Sequence, residues 1–107
     1  AALFFKGKDS LFGRYWGSRV DQQFLHFETC YYQGQEYAIE NGIQVFDSGA
    51  QGEHKIQRGF APVYTYSNHW LANEEFSRAV ENFLKEEKTH VMEYKKQADK
   101  LLPFKKE

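Results

Sequence analysis

From Phe76 onward, a three- and four-residue spacing runs through Phe76, Val80, Phe83, Glu87, Val91, Tyr94, Ala98 and Leu101. Seven of these eight positions are apolar or aromatic, which places them on one stripe of a single long helix. Asn73 stands where an N-cap is needed, Glu74 and Glu75 suit the positive end of the helix dipole, and Pro103 closes the segment. From Glu74 to Lys100 such a helix extends roughly 40 Å. A domain of this size has a radius of gyration of about 13 Å. Either the helix breaks, or its far end packs on something outside this chain. Glu87 interrupts the stripe and is expected at its edge with the carboxylate in water, or paired with the glycine-rich loop.

The rest of the 107-residue chain is of a different kind. Fifteen of its 19 aromatic residues lie in the first 72 positions, whereas 16 of its 29 acidic and basic residues lie in the last 35. That split predicts an aromatic-rich, β-containing part followed by a solvated helix. No Pro/Gly/Ser-rich linker separates the two, so residues 1–107 are expected to form one domain. Charge is nearly balanced, with 14 Lys+Arg against 15 Asp+Glu, which argues against a DNA- or RNA-binding module. No apolar run is long enough to span a membrane, and no basic segment, apolar stretch and cleavage site open the sequence. A single cysteine, Cys30, excludes an internal disulfide. A soluble, cytoplasmic chain is the expectation.

Ala1-Ala2-Leu3-Phe4-Phe5 is an apolar run of the kind that forms a strand buried on both faces, and such a strand needs neighbours. The expectation is therefore the C-terminal part of a longer protein. Lys6 to Ser10 carries turn residues, so Leu3–Phe5 and Leu11–Trp16 read as a β-hairpin. Gly17 to Gln23 is loop-like, and Phe24 to Glu28 is either a short strand or the lead-in to a helix. Thr29 to Asn41 suits a helix stopped by Asn41-Gly42. Ile43 to Phe46 follows as a short strand, completing the grammar of a βαβ unit. Gly49 to Phe60, with three glycines in its first eleven residues, reads as an irregular loop. Pro62 to Trp70 reads as extended, with neither side simply apolar.

The glycine-rich loop holds the most chemistry. Gly49, Gln51 and Gly52 would offer backbone N–H groups to an anion, with charge from Lys55 and Arg58; the alternative is a polar turn. It is not a Walker A loop, since the Gly-Lys-Ser/Thr ending is missing. Glu53-His54 is a candidate acid/base pair, or else a surface pair. His26 and Glu28, two apart on a strand, would share a face and meet at one site, or form a structural contact. His26, Cys30, His54, His69 and His90 lack the paired spacing of zinc sites, so no metal is expected. Cys30 reads as a buried apolar side chain. Tyr15-Trp16 and Tyr31-Tyr32 would stack a ligand or fill a core.

Three stretches resemble a known family. They are Leu11-Phe12-Gly13-Arg14-Tyr15-Trp16-Gly17, Leu25-His26-Phe27-Glu28-Thr29-Cys30-Tyr31-Tyr32-Gln33-Gly34, and Gly49-Ala50-Gln51-Gly52-Glu53-His54-Lys55 through Arg58-Gly59-Phe60. With Thr65 to Trp70 and Pro103-Phe104, they are similar to the FemAB-like proteins of peptidoglycan biosynthesis/recognition, whose fold resembles that of GNAT acyltransferases. The resemblance implies an α+β (α/β) fold: the C-terminal half of a GNAT-like domain, a mixed sheet with a β-hairpin, one short helix and one long C-terminal helix. It further implies acyl or aminoacyl transfer to an amine, from acyl-CoA or aminoacyl-tRNA, with no tightly bound cofactor. Two departures stand out. No Gln/Arg-x-x-Gly-x-Gly/Ala pyrophosphate loop precedes the Thr29 helix, and Gln57 stands where Fem-type ligases often carry Lys.

The expected roles follow. Lys55 and Arg58 contact an anion together with Gly49, Gln51 and Gly52, His54 or Glu53 accepts a proton, and His26 and Glu28 line the cleft. The isolated chain is expected to be inactive. The alternatives are a non-catalytic module that recognises a cell-wall precursor, and a structural half that pairs with the missing N-terminal part of its parent or with a second copy as a homodimer.

Overall fold

The chain is described by a computed structural model covering residues 1–50 and 52–105. It resolves into two units, 1–60 and 61–107, and has an α+β fold.

In the first unit, Ala2–Lys6 (β1) and Ser10–Trp16 (β2) form the expected antiparallel hairpin, its tight turn closed by Gly7 N–H donating to Ser10 O at 2.8 Å. The ladder is not regular. Leu3 lies opposite Tyr15 and Phe4 opposite Gly13, so β2 carries one extra residue, Arg14, at a β-bulge. Val45–Asp47 (β3) adds to the other side of β2 in parallel, giving a three-stranded mixed sheet in the order β1-β2-β3. Parallel neighbours need a crossover connection, and residues 17–44 supply it.

That crossover is helical from further back than the spacing predicts. Helix α1 covers Leu25–Phe27, a π-helical turn covers Glu28–Tyr32, and α2 covers Gln33–Glu40. Phe24 to Glu28 is thus the lead-in to a helix, not a strand. Phe24 itself sits at φ 69°, a left-handed conformation that a bulky side chain rarely takes. The π turn widens the helix by one residue at the point where it faces the sheet and the following loop.

Helix α2 meets the sheet through a glycine. A Cβ on Gly34 would stand 2.5 Å from Phe46 Cζ and 3.3 Å from Phe4 Cε1, so only a bare Cα lets the two rings in. The core is small and aromatic: Leu11, Tyr31, Ala38 and Ile56 are buried. Ring contacts run from Phe4 to Phe46 (5.9 Å between centroids), Phe46 to Phe60 (5.1 Å) and Phe60 to Tyr31 (5.4 Å). The glycine-rich stretch is more ordered than its composition suggests. Glu53–Arg58 forms a 3-10 helix between Gly52 (φ 92°) and Gly59 (φ 90°), and Ile56 anchors it in the core.

The second unit holds a segment without regular structure and then Glu74–Asp99 (α3), 26 residues long. Asn73 Oδ1 accepts from Phe76 N–H at 2.9 Å, the cap its position predicts. Glu87 is exposed, as are Phe76, Phe83, Val91 and Tyr94 on the apolar stripe. Among the described residues, no helix is long and apolar enough to cross a membrane.

Candidate functional site

The chemistry gathers where the π turn faces the 3-10 helix. Tyr31, nearly fully buried, places its hydroxyl 2.9 Å from His54 Nε2. Around this pair lie the rings of His26 (5.7 Å from Tyr31 and 6.0 Å from His54), Phe27 and Trp16. His54 is held over Gly52: a Cβ there would lie 2.7 Å from His54 Cε1, so the glycine's place in this loop is to make room for the imidazole.

Both members of the pair are kept neutral. Burial pushes the Tyr31 phenol above its usual range. Burial first, then electrostatic repulsion from the side chains around it, Arg58 foremost, push the His54 imidazole below its usual range. A neutral imidazole beside a neutral phenol has one donor and one acceptor nitrogen, so the hydrogen bond runs in either direction with the tautomer. That is what a proton relay requires.

A cavity of about 360 Å³ opens beside the pair. Tyr31, His26, Cys30, Arg14, Trp16 and Lys55 line it, with Gly49 and Ala50 on the loop side. Burial raises the Cys30 thiol above its ordinary value, which keeps it protonated and a poor nucleophile.

The two cations of the loop are committed to the protein. Lys55 Nζ donates to three backbone carbonyls, those of Ser48 (2.8 Å), Gly49 (3.2 Å) and Ala50 (3.1 Å). An ammonium has three N–H groups, so this clamp uses them all. Arg58 donates from Nη1 to the His54 carbonyl at 2.7 Å and sits over Phe27, its Cζ 3.6 Å from the ring centre. Gln35 Nε2 donates to the Arg58 carbonyl at 3.0 Å, tying α2 to the same turn.

The sequence-derived candidates therefore divide. His54, His26, Lys55, Arg58 and Gly49 come together around the cavity and the Tyr31 pair, and Gly52 supports His54. Glu53 is exposed at the start of the 3-10 helix. Glu28 is exposed and accepts from Gln33 Nε2 at 2.8 Å. His26 and Glu28 lie on helical backbone, where residues two apart point in nearly opposite directions, so the shared face that a strand would give them does not form. Gln51 lies outside the described residues. Two residues were missed as actors. Tyr31 read as a stacking or core aromatic, yet its hydroxyl carries the contact, and a buried Tyr needing a partner was the available signal. Arg14 lines the cavity from the bulge, whose extra residue nothing in the alternation of β2 announces. Among the described residues, no group of three or more His, Cys, Asp or Glu side chains is placed to hold a metal.

A small mixed sheet and one helical crossover define an α+β protein, with a hydrogen-bonded imidazole–phenol pair beside its cavity. The chain belongs to the FemAB-like family of peptidoglycan biosynthesis/recognition proteins, whose model matches residues 1–106. No curated protein and no solved structure matches it significantly.

Proposed function

We propose that this chain supplies the C-terminal part of a GNAT-like N-acyltransferase that works in the cytoplasm on an amine of a peptidoglycan precursor. The family supports the cell-wall substrate, and the observation that carries the chemistry is the Tyr31–His54 hydrogen bond at the cavity wall. In the transfer, the amine nitrogen attacks the acyl carbonyl of an acyl-CoA or aminoacyl-tRNA donor. The new N–C bond forms, the donor's thioester or ester bond breaks, and the amine proton must leave. Tyr31 takes that proton at its hydroxyl oxygen while passing its own to the neutral Nε2 of His54. His26 lines the acceptor's approach. Glu53, exposed one residue before His54, is the weaker candidate for the acceptor of the proton.

Acyl transfer by the full native protein tests this reading. Tyr31→Phe and His54→Gln should each lower kcat by about 10² to 10³-fold, and the double variant should be little worse than either single one. Activity within twofold of the parent in Tyr31→Phe would refute the relay.

One observation favours a second reading, a non-catalytic module that recognises a cell-wall precursor. Lys55 spends all three of its donors on backbone carbonyls, which leaves it none to grip a CoA pyrophosphate. Calorimetry with CoA and with a muropeptide separates the two, since heat from the muropeptide alone would exclude the CoA donor. The exposed stripe of α3 and the outer edge of β1 are where the N-terminal part of the parent, or a second copy, would pair.

A further inference from the structure

We propose that Arg14 is the anion anchor of this cavity and that the group it holds is a single carboxylate, such as that of an amino acid or short peptide. The inference rests on reading the cavity as the substrate site, and it names the substrate's charge. Three cationic side chains from the sequence motifs stand around the Tyr31–His54 pair. Lys55 spends its three donors on the Ser48, Gly49 and Ala50 carbonyls, and Arg58 is bound to the His54 carbonyl and sits over Phe27. Arg14 alone of the three has no hydrogen-bond acceptor or ion-pair partner among the described residues, yet it lines the cavity.

Its placement is built into the strand. Arg14 is the extra residue of the β1–β2 bulge, and bulges re-aim side chains. Its Cζ sits over the exposed Tyr15 ring, 4.7 Å from the centroid, a contact that uses none of its N–H donors. A fork with its donors free matches the two oxygens of a carboxylate. Lys55 also lines the cavity and keeps its charge, but its three N–H donors are spent on carbonyls, so the Arg14 fork is what meets the ligand, and one fork pairs with the two oxygens of one carboxylate.

Trp16 lines the same cavity and serves as the reporter. The chain's other tryptophan, Trp70, is replaced by Phe, and Trp16 emission is followed while acetyl-alanine, acetyl-alaninamide or inorganic phosphate is added. Acetyl-alanine should give a saturable change at least tenfold tighter than the amide, which has the same shape without the charge. Phosphate should bind more weakly than acetyl-alanine. Arg14→Gln should weaken acetyl-alanine binding at least tenfold, and Arg14→Lys should restore only part of it, supplying charge without the fork. Equal binding of acid and amide, unchanged binding in Arg14→Gln, tighter binding of phosphate, or no saturable change with any probe would each overturn the proposal. If binding stands while transfer is indifferent to Tyr31→Phe, the transferase reading fails alone; if binding is absent while Tyr31→Phe abolishes transfer, only the carboxylate assignment fails.

Discussion

Lys55 is the residue whose charge most invites a ligand-binding role, and its surroundings assign it another. Its ammonium sits among the carbonyls of Ser48, Gly49 and Ala50 at 2.8, 3.2 and 3.1 Å, joining the end of β3 to the 3-10 helix. Lys55→Met keeps the length and apolar stem of the side chain and removes all three bonds. A hydrogen bond to a charged group contributes about 1.5–3 kcal/mol net. Gly49 and Ala50 are exposed, so water replaces most of what those two carbonyls lose, while the half-buried Ser48 carbonyl keeps more of the penalty. The total comes to about 2 kcal/mol, equivalent to a fall in Tm of about 8–16 °C for a domain of this size. Thermal or urea unfolding followed by circular dichroism measures it, and amide exchange should quicken first at residues 48–50. Lys55→Arg should not rescue, because a planar fork cannot converge on three carbonyls of one short loop. If Lys55→Met unfolds within 0.5 kcal/mol of the parent, a threshold of about 2 °C, and loses affinity for inorganic phosphate instead, the clamp is wrong and Lys55 is an anion ligand.

Two further outcomes follow from the packing and the titration of the same unit. Gly34→Ala would gain about 1 kcal/mol if helix propensity alone decided. The new Cβ would instead press on a Phe46 ring already held between Phe4 and Phe60, so a net loss of about 1–2 kcal/mol is expected in urea unfolding, and a gain would refute the close approach. His54 is held below the ordinary imidazole value by burial and neighbouring positive charge, so the unfolded chain binds its proton more readily. Its contribution to stability is present above about pH 6.5 and is lost as pH falls through the lower folded value. The acid limb of the stability–pH curve should flatten in His54→Gln, and an unchanged limb would count against a perturbed His54.

The parts of the fold that local chemistry determines were legible in the sequence. Glycine and lysine in the turn before Ser10 set the hairpin, Asn73 set the start of α3, and the three-four spacing set its course. The strand–helix–strand order pointed to a βαβ unit, and the structure makes β2 and β3 its parallel pair. What escaped was set by contacts between distant residues. Tyr31 and His54 are 23 positions apart, as are Gln35 and Arg58, and no spacing rule connects them. The π turn escaped because one added residue leaves the apolar pattern nearly intact while it turns the Tyr31 hydroxyl toward the loop. The charges misled for a definite reason. In a sequence, every Lys and Arg near glycines counts as available to an anion, since the carbonyls that will claim it cannot be seen. Here the fold claims Lys55 and Arg58 and leaves Arg14, which sits in a strand and showed no such signal. Charge is not lost in this way, but directed donors are: those left facing a ligand belong to the Arg14 fork, whose two parallel N–H groups match the two oxygens of a carboxylate.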